Sequence, residues 1–217
     1  MLNSPFVTSA KVKPESLRPT EDHVLIRQID KWKSGHIILP KGEKTECYFG
    51  EVVRVGSGGT ASKTGAHLPI PFIVGEILLV MRYAGQDVEL DDDGEFKMIR
   101  EHSVWARGIK MDDDKNVTDL EPYGDKLVVT VRYDRKTTGG IFLPERENNH
   151  PNVVADVVKV GPGGRSLSTG RVTPNSVSVG DAVVMERYHG ADVKIKGVKH
   201  RVCQDKDLCA IVKGLKE

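Results

Sequence analysis

At 217 residues, 38% hydrophobic and 29% charged, the chain has the composition of a soluble globular protein, built as one large domain or two of roughly 100 residues each. Thirty-two basic against 31 acidic residues leave a formal charge of +1, so the clustered basic excess of a nucleic-acid binder is missing. Cys47, Cys203 and Cys209 fit neither a zinc motif nor a disulfide scaffold and point to a reduced, cytosol-like compartment; no run approaches the roughly 18 apolar residues of a membrane span.

In chain order, residues 1–13 carry no signal-like apolar core and read as a flexible tail. "HVLIRQI" from 23 and "GEVVRV" from 50 follow as strand candidates. "GSGGTASKTG" at 56–65 approaches a phosphate loop, but Ser62 stands before Lys63 where that motif needs glycine. "GEILLVM" from 75 is a buried-strand candidate, and Asp91 to Asp93 before Gly94 predict a hairpin tip. "IKMDDDKNVT" reads as a solvated linker. Beyond it come "KLVVTVRY", "DVVKV", "GDAVVM" and "LCAIV", in the last of which Cys209 is expected as a small core residue. Aromatics are only 6%, so the core is largely Val, Ile and Leu, and no stretch offers a capped helical stripe.

Much of this occurs twice. "GEILLVMRYAGQDVEL" at 75–90 and "GDAVVMERYHGADVKI" at 180–195 share a glycine, an acid, an apolar run and R-Y-x-G-x-D-V at an offset of 105, Arg82 matching Arg187. "EVVRVGSGG" and "DVVKVGPGG" keep that offset, and one-residue slips fall in polar stretches, as loop insertions do. The chain therefore divides into a tail, 1–13, a first unit, 14–108, a linker, 109–118, and a second unit, 119–217. Many short strands punctuated by Gly and Pro predict an all-β fold, a small barrel or sandwich made twice.

One repeated element resists that reading. Ile37, Ile38 and Leu39 follow Gly35 and precede Pro40; Ile141, Phe142 and Leu143 follow Gly139 and Gly140 and precede Pro144. A triplet taken alone is most simply a buried strand. The glycines and prolines interrupt sheet pairing, however, and the polar, aperiodic stretch after Pro144 has no strand pattern. A structureless loop of about sixteen residues is usually functional or disordered, and an apolar triplet within one suits a hydrophobic groove on a partner.

Taken together, each unit resembles a GroES-like co-chaperonin of the chaperonin-10 family. "LRPTEDHVLIR" resembles the family's opening strand, "SGHIILP" and "TGGIFLP" its mobile loop, "GEVVRVGSGG" the strand entering its roof hairpin, "VGE" and "VGD" the exit from it, and "DLCAIV" its closing strand. The second unit departs at its start, with Glu121 where the family usually has arginine. The tandem arrangement is similar to the chloroplast double-domain form.

The resemblance implies two tandem GroES-like β-barrels, each with a mobile loop and a roof hairpin. It implies docking on a GroEL-like chaperonin through Ile37, Ile38, Leu39, Ile141, Phe142 and Leu143, with Gly35, Pro40, Gly139, Gly140 and Pro144 as loop hinges. It implies a homo-oligomeric lid that encloses an unfolded polypeptide; ATP is bound by the chaperonin and this chain needs no cofactor or metal. The short linker sets the two units side by side, so four chains in one eight-unit ring, a tetramer, are expected, with seven chains stacked in two tiers as the alternative. Burying one Ile or Leu stabilises by about 1.5–3 kcal/mol, while ordering a loop costs roughly 1–2 kcal/mol per residue, so single loops bind weakly and several bind together. The expected setting is a bacterial or phage-infected cytoplasm, or a chloroplast stroma after removal of a transit peptide. An enzyme of the alcohol dehydrogenase type would need zinc-spaced Cys and His and a G-x-G-x-x-G after a strand; neither occurs. A structural or assembly module on the same barrel is the other alternative, and it would have no use for the two triplets.

Overall fold

A computed structural model describes residues 12–29, 47–114, 116–132 and 151–212. The first unit contains β1 (His23–Ile29), β2 (Cys47–Val55), β3 (Gly59–Thr60), β4 (His67–Leu68), β5 (Ile77–Met81), β6 (Gln86–Val88), β7 (Phe96–Arg100) and β8 (Val104–Met111). The second contains β9 (Val117–Pro122), β10 (Lys126–Arg132), β11 (Asn152–Val160), β12 (Gly164–Arg165), β13 (Val172–Thr173), β14 (Ala182–Glu186), β15 (Ala191–Ile195), β16 (Val198–Gln204) and β17 (Leu208–Val212). The only helical turns among the described residues are short 3-10 pieces at Pro14–Ser16, Glu101–Ser103 and Asp205–Asp207.

The two large sheets repeat one antiparallel order, β6-β7-β1-β2-β5-β8 and β15-β16-β10-β11-β14-β17. Alternation makes the barrel walls: Tyr48, Gly50 and Val52 of β2 turn inward, as do Val153, Ala155 and Val157 of β11. A bulge recurs at the same place, between Leu25 and Ile26 and between Val128 and Val129, bending the wall as small barrels require. The glycine of R-Y-x-G has a steric cause in both copies. Gly85 and Gly190 sit at φ +87° and +94°, where an added Cβ would lie 2.8 Å from the Met98 carbonyl oxygen and 2.5 Å from that of Val202.

The join between the units differs from the expected linker. Ile109 to Met111 extend β8, Val117 and Thr118 begin β9, and the two strands pair antiparallel, Arg107 opposite Glu121 and Met111 opposite Val117. Asp112 to Asp114 lie in the turn between them, where the Asp112 carboxylate accepts from the Asn116 backbone N–H at 2.7 Å. The reason is burial. Ile109, Val117 and Leu120 are apolar and complete a shared core with Leu79, Trp105 and Ala106 of the first barrel and Val128, Ala191, Val193 and Val202 of the second. The second unit's opening strand thus closes the first unit's sheet.

β17 is also a correction. It repeats β8, yet Cys209 is exposed and Ile211 is 43% exposed, because among the described residues no strand covers its outer edge as β9 covers that of β8. The repeat of β9, residues 12–18, forms no strand but is seated as β9 is: the Asp91 N–H donates to the Val12 carbonyl, as the Lys196 N–H donates to that of Val117.

Candidate functional site

Each barrel has two distinct ends. The strand pairs β1–β2 and β10–β11 are open at one end, where Ile29 faces Phe49 and Arg132 faces Val154, and the connections 30–46 and 133–150 leave there. The expected docking residues Ile37, Ile38, Leu39, Ile141, Phe142 and Leu143, and the hinges Gly35, Pro40, Gly139, Gly140 and Pro144, all lie outside the described residues. Their roots do not. Arg27 donates to Asp92 at 3.0 Å beside the first root, and Arg132 makes a two-point contact with Asp156 at 2.7 and 2.6 Å beside the second.

At the opposite ends of the same strand pairs stand the roof hairpins β3–β4 and β12–β13, which meet tip to tip. Ser62 N donates to the Leu167 carbonyl at 3.2 Å, Lys63 N to that of Ser168 at 2.8 Å and Thr64 Oγ1 to that of Thr169 at 3.3 Å. All three join positions that correspond at the repeat offset of 105, so the tips lie side by side. "GSGGTASKTG" therefore leads into and forms the tip of the first roof hairpin.

Between roof and loops the seam is polar at its upper edge. Glu101, only 7% exposed, accepts from both the Arg165 guanidinium and the Tyr123 hydroxyl, and Arg165 Nη1 also donates to the Pro69 carbonyl at 3.1 Å. Burial, reinforced by the Glu101 carboxylate, pushes the Tyr123 phenol well above its ordinary value, so it is a fixed donor. Glu76 holds Arg107 at 2.8 and 3.2 Å and the Gly108 N–H at 3.0 Å. Phe72 packs edge-on to Tyr123, ring centroids 5.0 Å apart. Arg165 and Glu101 were not singled out from sequence; nothing in their local pattern marks them, since they meet 64 residues apart.

Among the described residues no three His, Cys, Asp or Glu side chains are placed to hold a metal. Burial pushes the Cys203 thiol up to about 12, which leaves it inert at neutral pH. No helix among the described residues is long and apolar enough to cross a membrane.

Two interlocked small β-barrels, each with a roof hairpin at one end, define a tandem-repeat protein built from two copies of one unit. The family described as Chaperonin 10 Kd subunit matches residues 16–107 and again 119–212, and the chain belongs to it. The chain is 30% identical to the "20 kDa chaperonin, chloroplastic" of Arabidopsis thaliana over 204 residues, 92% of this chain and 77% of that protein. It is 31% identical to the protein of the same name in Spinacia oleracea over 205 residues, 92% and 76% of the two chains. The "Co-chaperonin GroES" of Lawsonia intracellularis matches a single unit, 34% identical over 96 residues, 44% of this chain and 93% of that one. The function is that of a co-chaperonin.

Proposed function

We propose that several copies of this chain form a ring-shaped lid that docks on a GroEL-like chaperonin, Ile37 to Leu39 and Ile141 to Leu143 entering apolar grooves on its rim. The observation that carries the reading is the pair of loop roots, at corresponding ends of two barrels that one core holds rigidly together. Two weak loops fixed in one body bind by effective concentration and release together when the chaperonin changes state. Gly35, Pro40, Gly139, Gly140 and Pro144 limit each triplet to its loop. The lid encloses an unfolded polypeptide and does no chemistry; ATP is bound and hydrolysed by the chaperonin.

The unpaired edge of β17 and the seated but unpaired segment 12–18 favour a ring. Each is half of the β8–β9 joint, so the end of one chain fits the start of the next, a head-to-tail contact that propagates until it closes. We infer about four chains, an eight-unit ring with one loop idle over seven docking sites. The names of the relatives that match both units favour the chloroplast over a cytoplasm.

Capture on a chaperonin ring with nucleotide tests the docking. The double variant I38S/F142S is expected to lose capture while its melting temperature stays within about 2 °C of wild type. Capture at the wild-type level would remove the triplets from the contact, and a large fall in melting temperature would return them to the core.

A further inference from the structure

The hairpins β6–β7 and β15–β16 occupy equivalent places and carry opposite charge. Between 87 and 95 the first has Asp87, Glu89, Asp91, Asp92, Asp93 and Glu95, whereas the second has Lys194, Lys196 and Lys199 with the single acid Asp192. Asp87 and Asp92 are paired with Lys97 and Arg27; Glu89 and Asp91, the counterparts of Lys194 and Lys196, are exposed and make no ion pair among the described residues.

What the basic hairpin does is visible at the seam inside the chain. Its apolar residues Val193 and Ile195 pack with Ile109 and Met111 at the end of β8, and Lys196 is tied to Val117, directly after the acidic turn 112–114. The basic hairpin thus meets the strand that leaves the acidic turn. On the acidic hairpin the counterparts of Val193 and Ile195 are Val88 and Leu90, left half-exposed beside a cleft that Phe96 also lines.

The missing occupant can be read from the repeat. Continuing β17 at the offset of 104 that matches it to β8 places Lys213 at Ile109, Leu215 at Met111 and Lys216 at Asp112. The apolar position is kept and the charge at the turn is inverted, as it is on the hairpin. We propose that the acidic hairpin β6–β7 is the docking surface for residues 213–217 of a second copy of this chain, Leu215 entering the cleft beside Val88 and Leu90 and the two lysines meeting Glu89 and Asp91. The contact rests on the ring reading above and extends it, because it seals the foot of each seam between chains with the charge polarity opposite to that of the seam within a chain.

A charge-swap experiment on the full chain tests it, with assembly followed by sedimentation equilibrium and native mass spectrometry at low and high salt. K213E/K216E alone, or E89K/D91K alone, is expected to weaken chain–chain association about tenfold at low salt, since two attractions become repulsions. The four changes combined restore it, and the differences shrink at high salt. Single swaps without effect, or no restoration in the combined variant, overturn the proposal while leaving the ring intact. A wild-type protein found only as single chains overturns the ring, and this contact with it.

Discussion

Strands β8 and β17 are the same strand made twice, and their surroundings differ completely. In β8, Val104 and Ala106 are fully buried and Trp105 is 7% exposed, because β9 closes the sheet and the second barrel closes the core. In β17 the corresponding Leu208 is half-buried and Cys209 and Ala210 are exposed. Near-identical backbone therefore yields an interior at one place and an edge at the other. Burial here is a property of the neighbour, and an unsatisfied edge strand marks where a neighbour is due.

The largest break in that comparison is expected from W105A, which opens a cavity in the shared core and should cost about 3–5 kcal/mol in urea denaturation of the dilute chain. C209A, at the matching position, should change stability by no more than about 0.5 kcal/mol. Equal losses at the two positions would mean that the barrels do not share a core.

Next comes the upper edge of the seam. E101A leaves the Arg165 guanidinium and the Tyr123 hydroxyl without their acceptor in a largely buried place, and roughly 2–3 kcal/mol should be lost. Asp205, its counterpart, is a turn residue that accepts from Ser176 near solvent, so D205A should cost less than about 1 kcal/mol. A D205A loss as large as that of E101A would show that the turn, and not the seam, is what the acid supports.

The smallest effect is a titration. A hydrogen bond from Lys159 holds the Asp119 carboxyl below its ordinary value, whereas Arg54, the counterpart of Lys159, donates to the backbone carbonyls of Val53 at 3.0 Å and Glu15 at 3.4 Å. A depressed native pKa stabilises above the unfolded value near 3.9, and that contribution is lost as the pH falls through the native one. D119N should therefore cost about 0.5 kcal/mol at pH 7 and nothing in strong acid, the small size reflecting an exposed pair. A gap between wild type and D119N that persists in acid would assign the loss to geometry instead of charge.

Sequence alone determined the repeat, the all-β class and most strand positions, because inward-facing Val, Ile and Leu must recur with period two and turns must carry Gly, Pro or Asp wherever strands reverse. β1 and β10 fall where "HVLIRQI" and "KLVVTVRY" place them, and R-Y-x-G is dictated by a backbone approach that any Cβ would block. The apolar triplets 37–39 and 141–143, expected from their Gly and Pro neighbours to dock on a partner, lie outside the described residues. Tertiary structure alone decided that "IKMDDDKNVT" is a hairpin joining two barrels and no tether, that Cys209 faces outward, and that Arg165, Glu101 and Tyr123 converge. In each case the deciding term is contact between residues far apart in the chain: a period reports which face of a strand is apolar, but only the folded neighbour settles whether that face, and that edge, is covered.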